Sequence, residues 1–252
     1  MKLLAPLAGW CSPLEEAPDA VFAQRMLGDG LAIDPTANVL HAPCDGEVIA
    51  LAASKHAITL AAGGAEILMH VGIDTVGLRG EGFEALVGVH TRVRAGEPLL
   101  RFDLDLLARR AKSVLTPIVV TDGAYRIVRR NQDVLVAVGD FLLELEAAGA
   151  AAASEAPAQA PVPTRRARVG FAHGIHARPA ALIAACAKRF DATVSIAREE
   201  RAANARSVVA LMSLGVQRGD EISIQASGAD ASAAAAALDY MEIGRASCRE
   251  RV

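Results

Sequence analysis

Three histidines carry the chemistry open to this sequence. His176 lies in the run Gly174-Ile175-His176-Ala177-Arg178-Pro179-Ala180, where Pro179 suits the first turn of a helix and the unpaired N–H groups of that turn face outward. Such a helix mouth attracts phosphate. An imidazole held there in one tautomer, with its attacking nitrogen unprotonated, is a nucleophile toward phosphorus, and Arg178 supplies a planar fork that matches phosphoryl oxygens. Read alone, a histidine at this position is more often a mere neighbour of a helix cap.

His56 and His70 form the second constellation. They flank Ala62-Gly63-Gly64, a turn signal between two β-like runs. If Ala61 pairs with Ala65, His56 falls opposite His70 and both rings project from one face. A two-residue Gly63-Gly64 loop would slip the register by one and send the rings to opposite faces, so the facing pair requires an odd loop of about three or five residues. Two facing imidazoles have three readings: a phosphoryl acceptor with a neighbour that donates to the phosphate, a metal site, or a bland cross-strand pair. A zinc hydrolase would need a third ligand and a general base, and the sequence has neither a His-x-His nor a His-Glu-x-x-His pattern. An acceptor at position 70 must also reach water and share a side with residue 56. His41, His90 and His173 read as structural or solvated.

These histidines need scaffolds of two kinds. From Met1 to about Leu145 the sequence is a series of short β-like runs punctuated by glycine, such as Gly46–Leu51, His56–Leu60, Ala65–His70 and Gln132–Val138. Regularly spaced short strands predict an all-β sandwich or barrel, with a short helix at Leu104–Ala111. Ala147 to about Arg165 is rich in alanine and proline without an apolar period and reads as an extended linker. Beyond it the pattern predicts a helix at Arg178–Phe190, a strand at Thr193–Ile196, a helix at Ser207–Leu214 stopped by Gly215, a strand at Glu221–Gln225 and an alanine-rich helix from Asp230. That alternation marks a small α+β domain. The expected division is therefore 1–146, a linker at 147–165, and 166–241. Residues 242–252 read as the translation of a sequencing-library adapter, which would interrupt the natural sequence at about Met241, inside its last helix.

At 252 residues and 52% hydrophobic composition, the chain has enough material for two cores. A net charge of −3 with interspersed signs leaves no basic footprint for nucleic acid. Cys11, Cys44, Cys186 and Cys248 lie far apart without C-x-x-C spacing, which argues for reduced thiols rather than a zinc knuckle or a disulfide framework. Pro6 breaks an apolar start that is already short for a signal peptide, and no stretch approaches the roughly 20 apolar residues that span a bilayer.

Several further segments carry a resemblance. Pro18–Phe22, Gly28–Ile33, Ala42–Gly46, Lys55–Ala57, Leu68–Asp74, Gly80–Phe83, Phe102–Leu104 and Thr116-Pro117 resemble, in order, the glucose-type enzyme IIA of the bacterial phosphoenolpyruvate:sugar phosphotransferase system. His173–Ala180, Asn204–Ser207 and Met212–Gly215 resemble the two signatures of the phosphocarrier HPr. IIA followed by HPr looks like the front of a multiphosphoryl transfer protein whose third part, enzyme I, is not within these residues.

The resemblance implies that His176 takes a phosphoryl group from enzyme I on Nδ1, that His70 accepts it on Nε2 with His56 in support, and that a cysteine of a IIB domain on the membrane permease (IIB/IIC) receives it next. It implies that Arg178 stabilises phosphate on His176 and meets Asp19 and Asp74 on docking. Apolar surface at Phe22, Val208, Val209 and Met212 would form the docking patch, and Ser207 matches a regulatory phosphorylation position. It implies a cytoplasmic phosphotransferase component with no cofactor in these two domains, phosphoenolpyruvate acting upstream through magnesium-using enzyme I. The alternative is a regulatory module whose unphosphorylated IIA face holds partner proteins. Ala177 lacks the hydroxyl that some HPr proteins carry there, so the helix must be capped by backbone.

Overall fold

Two adjacent glycines decide the register of the hairpin that ends in His70. In the structure, a computed structural model, Gly63 and Gly64 have φ of 57° and 89°, the paired left-handed conformation that a two-residue hairpin turn demands and that glycine adopts without a Cβ penalty. Ala62 accordingly pairs with Ala65, and Ala57 with His70. The expected odd-length loop is therefore corrected to a two-residue turn. Glycine at both central positions makes the tighter connection the cheaper one.

The structure describes residues 1–121, 125–147 and 164–242 and falls into two compact units, Met1–Ala151 and Ala152–Val252. Most of the expected linker and residues 243–252 lie outside the described residues. In the first unit the hairpin belongs to an eight-stranded sheet, in the order Val134–Val136, Gly9–Pro13, Asp29–Pro35, Thr116–Val120, Ala65–His70, Ala57–Ala62, Gly46–Leu51 and Arg92–Val93. Two three-stranded sheets complete the unit. One is Lys2–Leu4, Phe141–Ala147 and Tyr125–Arg130; the other is Val39–His41, Pro98–Phe102 and Phe83–Ala85. All the ladders are antiparallel.

Each sheet feeds one shared core. Leu3 and Leu143, Leu40 and Leu100, and Leu31, Leu60, Ile67 and Ile118 are fully buried in a single cluster. Each such side chain contributes about 1.5–3 kcal/mol on removal from water. This is the expected all-β sandwich, and the strands that carry the histidine hairpin run through its middle. The short helix falls at Leu104–Arg110, with the Asp103 carboxylate accepting from Leu106 N–H at its start.

The second unit is a four-stranded antiparallel sheet in the order Arg165–Arg168, Glu221–Ser227, Thr193–Arg198 and Arg201–Asn204, with helices Ala177–Ala187, Val208–Ser213 and Ala231–Glu242. Strict alternation along Glu221–Ser227 buries Ile222, Ile224 and Ala226 and leaves Glu221, Ser223 and Gln225 facing outward. That period of two makes the layer one-sided. Two of its strands were not foreseen. Arg165–Arg168 buries only Ala167, and Arg201–Asn204 only Ala203. The first helix stops at Ala187, short of the expected Phe190.

Candidate functional site

The approach to His56 is made by Ser54 and Lys55. Lys55 is left-handed at φ 58°, and His56 lies just outside the strand Ala57–Ala62, accepting a backbone bond of 2.8 Å from Val71 N–H. The register alone would send the two rings to opposite faces, yet their centroids lie 4.7 Å apart at 73°. Alternation binds only residues inside the pleat. His56 precedes it, after a left-handed residue, and its ring swings onto that of His70. The facing pair therefore exists, by a different route from the expected one.

A second expectation is corrected. His70 and His56 are only 5% and 4% exposed, so position 70 is not open to water as supposed. Phe22 stands 5.3 Å from the His70 ring and Phe83 6.4 Å from the His56 ring, both edge-on, and these apolar walls are what seal the pair.

Burial sets the chemistry of His70. Its Nδ1 lies 2.7 Å from Gly72 O. A carbonyl oxygen can only accept, so Nδ1 carries the proton and Nε2 keeps the lone pair. Desolvation pushes the pKa below its ordinary value, against smaller upward pulls from the Gly72 carbonyl and from Asp19 and Asp74. The ring is thus a neutral nucleophile pointing Nε2 away from its own anchor. His56 Nδ1 is 2.7 Å from Ser54 Oγ. When that hydroxyl donates, the His56 proton sits on Nε2.

A pH dependence follows. Below about pH 6.5 the unfolded chain protonates position 70 while the folded chain resists. Stability contributed by the neutral ring is complete above about 6.5 and is lost as pH falls toward the lower folded value. Urea titrations should show first-unit stability declining from pH 6.5 to 5.5, His70→Gln should flatten that decline, and phosphoryl uptake at His70 should persist at pH 6.

Asp19 is buried and its carboxylate caps the short helix Ala20–Ala23, accepting from Val21 N–H at 2.8 Å; Asp74 is exposed with φ 59°. The supposed docking patch is corrected: Phe22, Val208 and Val209 are buried, and only Met212 is half-buried. The buried ones pack inward, as do Val21 and Leu211 of the same two short helices.

In the second unit His176 is itself the N-cap of the helix Ala177–Ala187, with φ −102° and no side-chain cap bond. Its carbonyl accepts from Ala180 N–H at 2.9 Å. That bond is the first of the helix itself, and the imidazole is not spent on capping. His176 is half-buried and Arg178 exposed. The loop before the helix is pinned by Ile175 N–H donating to Val216 O at 3.0 Å. Ser207 caps Val208–Ser213 through a bond from Ala210 N–H to its Oγ.

Ser54, Gly72 and Phe83 have no role assigned from sequence, although Gly72 and Phe83 lie in segments that carry the resemblance; Ser54, two residues before His56, was the visible signal. His41 Nδ1 lies 3.3 Å from Pro6 O and His90 Nδ1 3.2 Å from Glu47 on the surface. His173, expected to be structural or solvated, has its ring 6.2 Å from that of His176. Burial pushes the thiols of Cys11 and Cys44 up to about 12 and about 11, with Asp133 and Asp45 adding to it. Among the described residues, no group of three or more His, Cys, Asp or Glu is placed to hold a metal ion, so the third ligand a zinc hydrolase needs does not join the pair. No described helix is long and apolar enough to cross a membrane.

Residues 1–125 match the family described as phosphoenolpyruvate-dependent sugar phosphotransferase system, EIIA 1, and residues 163–241 match PTS HPr component phosphorylation site. The chain is 53% identical over 121 residues to the PTS system glucose-specific EIIA component of Bacillus cereus, covering 48% of this chain and 73% of that protein. The chain belongs to the phosphotransferase-system EIIA family. It is also 44% identical over 124 residues to the corresponding component of Staphylococcus epidermidis, across 49% of this chain and 75% of that protein. Among solved structures, the glucose permease IIA of Mycoplasma capricolum matches at 39% identity and a TM-score of 0.55, covering 57% of this chain and 94% of its own. An EIIA domain followed by an HPr domain makes the chain a phosphocarrier of that system, relaying phosphate toward sugar uptake.

Proposed function

We propose that the relay runs from enzyme I to Nδ1 of His176, then to Nε2 of His70, and then to the cysteine of a IIB domain on a membrane permease of the glucose or N-acetylglucosamine type, with the chain working in the cytoplasm. The observation that carries this reading is the 2.7 Å contact from His70 Nδ1 to the Gly72 carbonyl, which leaves Nε2 as the one nucleophilic nitrogen of that ring. In the transfer the P–N bond at His176 breaks as a P–N bond forms at His70, so one imidazole replaces another and the exchange is nearly balanced. Positioning and charge stabilisation suffice. Neither domain needs a cofactor for this step. The phosphoryl group originates in phosphoenolpyruvate, and magnesium serves enzyme I upstream. His56 steadies the phosphoryl oxygens on His70, and Arg178 those on His176.

The burial of His70 runs against the expectation that an acceptor must reach water. His70 keeps its place in the relay because transfer requires that the donor reach Nε2, not that bulk water does, and apolar walls slow hydrolysis of the product. Incubation with enzyme I and phosphoenolpyruvate, followed by phosphosite mapping, should find acid-labile phosphate on His176 and His70. Label on neither histidine overturns the reading.

A further inference from the structure

The second unit places another imidazole beside its carrier. The rings of His173 and His176 are 6.2 Å apart by centroid at 61°. The loop that joins them has little freedom to separate them. Gly174 takes φ 70°, its N–H donates to Phe171 O at 3.0 Å, and Ile175 N–H donates to Val216 O at 3.0 Å. His173 is exposed, so its ring is not committed to the core.

We propose that His173 is a phosphoryl-binding residue of this chain, donating a ring N–H to an oxygen of the phosphoryl group carried by His176. The inference rests on the reading of His176 as a carrier. A phosphoryl group on His176 extends three acceptor oxygens beyond the ring, and with the two rings 6.2 Å apart by centroid an N–H···O bond of about 2.8 Å to His173 is within reach. A neutral imidazole always keeps one N–H, and an imidazolium has two, so the donor is present in either protonation state. Arg178 and the first-turn amides belong to the helix, and His173 to the loop before it. The oxygens are thus held from two directions, which a helix mouth alone does not achieve.

The test uses the full chain, phosphorylated by enzyme I and phosphoenolpyruvate, with ³¹P NMR resolving Nδ1- from Nε2-phosphohistidine. His173→Phe keeps a ring and deletes the donor; His173→Gln deletes the ring and keeps an N–H. The equilibrium ratio of phosphoryl on His176 to phosphoryl on His70 should fall about tenfold in the Phe variant, the effect of losing one bond to a charged oxygen, and return to within about twofold in the Gln variant. Thermal melts of both variants should match the parent, because His173 is exposed. An unchanged ratio in His173→Phe overturns the proposal, and so does a loss that Gln fails to restore, since a side-chain N–H at this position would then not be what holds the phosphoryl group. Absence of phosphate from His176 in the unsubstituted chain overturns the relay and this inference with it, whereas phosphate there with an unchanged ratio overturns the inference alone.

Discussion

A chain carrying His70→Gln will load one phosphoryl group, at His176, and deliver none. Glutamine is close to histidine in size, and its side-chain N–H can replace the Nδ1–H that donates to the Gly72 carbonyl, so the sealed pocket between Phe22, Phe83 and His56 stays filled and the buried carbonyl stays paired. What is lost is a lone pair, because an amide nitrogen is not a nucleophile. Removing the attacking group of a transfer site costs rate on the order of 10⁶, so delivery to a IIB acceptor should drop below detection while acid-labile phosphate on the second unit rises to one equivalent. Radiolabel from phosphoenolpyruvate, counted on the chain and on the acceptor, reads both quantities. Continued delivery at more than about a hundredth of the parent rate would remove His70 from the relay. His56→Phe separates the two roles. It spares the nucleophile, keeps a ring beside it and deletes the N–H donor, and should slow delivery by about a hundredfold through loss of the oxyanion donor.

The asymmetry between those variants comes from features visible in the sequence to very different degrees. Histidines preceding a helix and flanking a turn were legible as chemistry because few residue types can carry phosphate. Their surroundings were less so. The pairing of His56 with His70 depended on a register that Gly63 and Gly64 set one residue away from the expected one, and on a left-handed Lys55 that nothing in its residue type announces. The burial of the pair depends on Phe22 and Phe83, which come from sequence-distant elements and meet the histidines only through the sandwich.

The strands in the middle of the first unit were readable because both their faces are covered and the apolar runs are dense. Arg165–Arg168 and Arg201–Asn204 were not, because each buries a single alanine and takes its place by pairing with a neighbour, Glu221–Ser227 or Thr193–Arg198. The same limit explains the docking residues. Val208 and Val209 look like surface in a six-residue helix, but the capped helix turns them onto the core.

Backbone dependence is greatest at Gly174, and Gly174→Ala should silence the second unit while leaving the first one intact. A Cβ at this position would lie 1.9 Å from Val216 O, at φ 70°, which is an overlap with main chain rather than with a movable side chain. The left-handed conformation costs about 1–2 kcal/mol for a residue with a Cβ, and relieving the overlap breaks the Ile175-to-Val216 bond for about 1 kcal/mol more. A total of about 2–3 kcal/mol lowers the melting point of a unit this size by about 8 °C or more. Differential scanning calorimetry should therefore show one transition displaced and the other, from the EIIA unit, unmoved. Loading at His176 should fall with it, because the displaced loop is the one that presents both His173 and His176. Gly219→Ala is the control. Its φ of 89° carries the same left-handed cost with no atom within 4 Å of the added Cβ, so it should lower the second transition by about half to two-thirds as much and leave loading intact. Equal effects of the two substitutions would mean that φ alone matters there, and that contact with the Val216 backbone does not hold the phosphoryl loop in place.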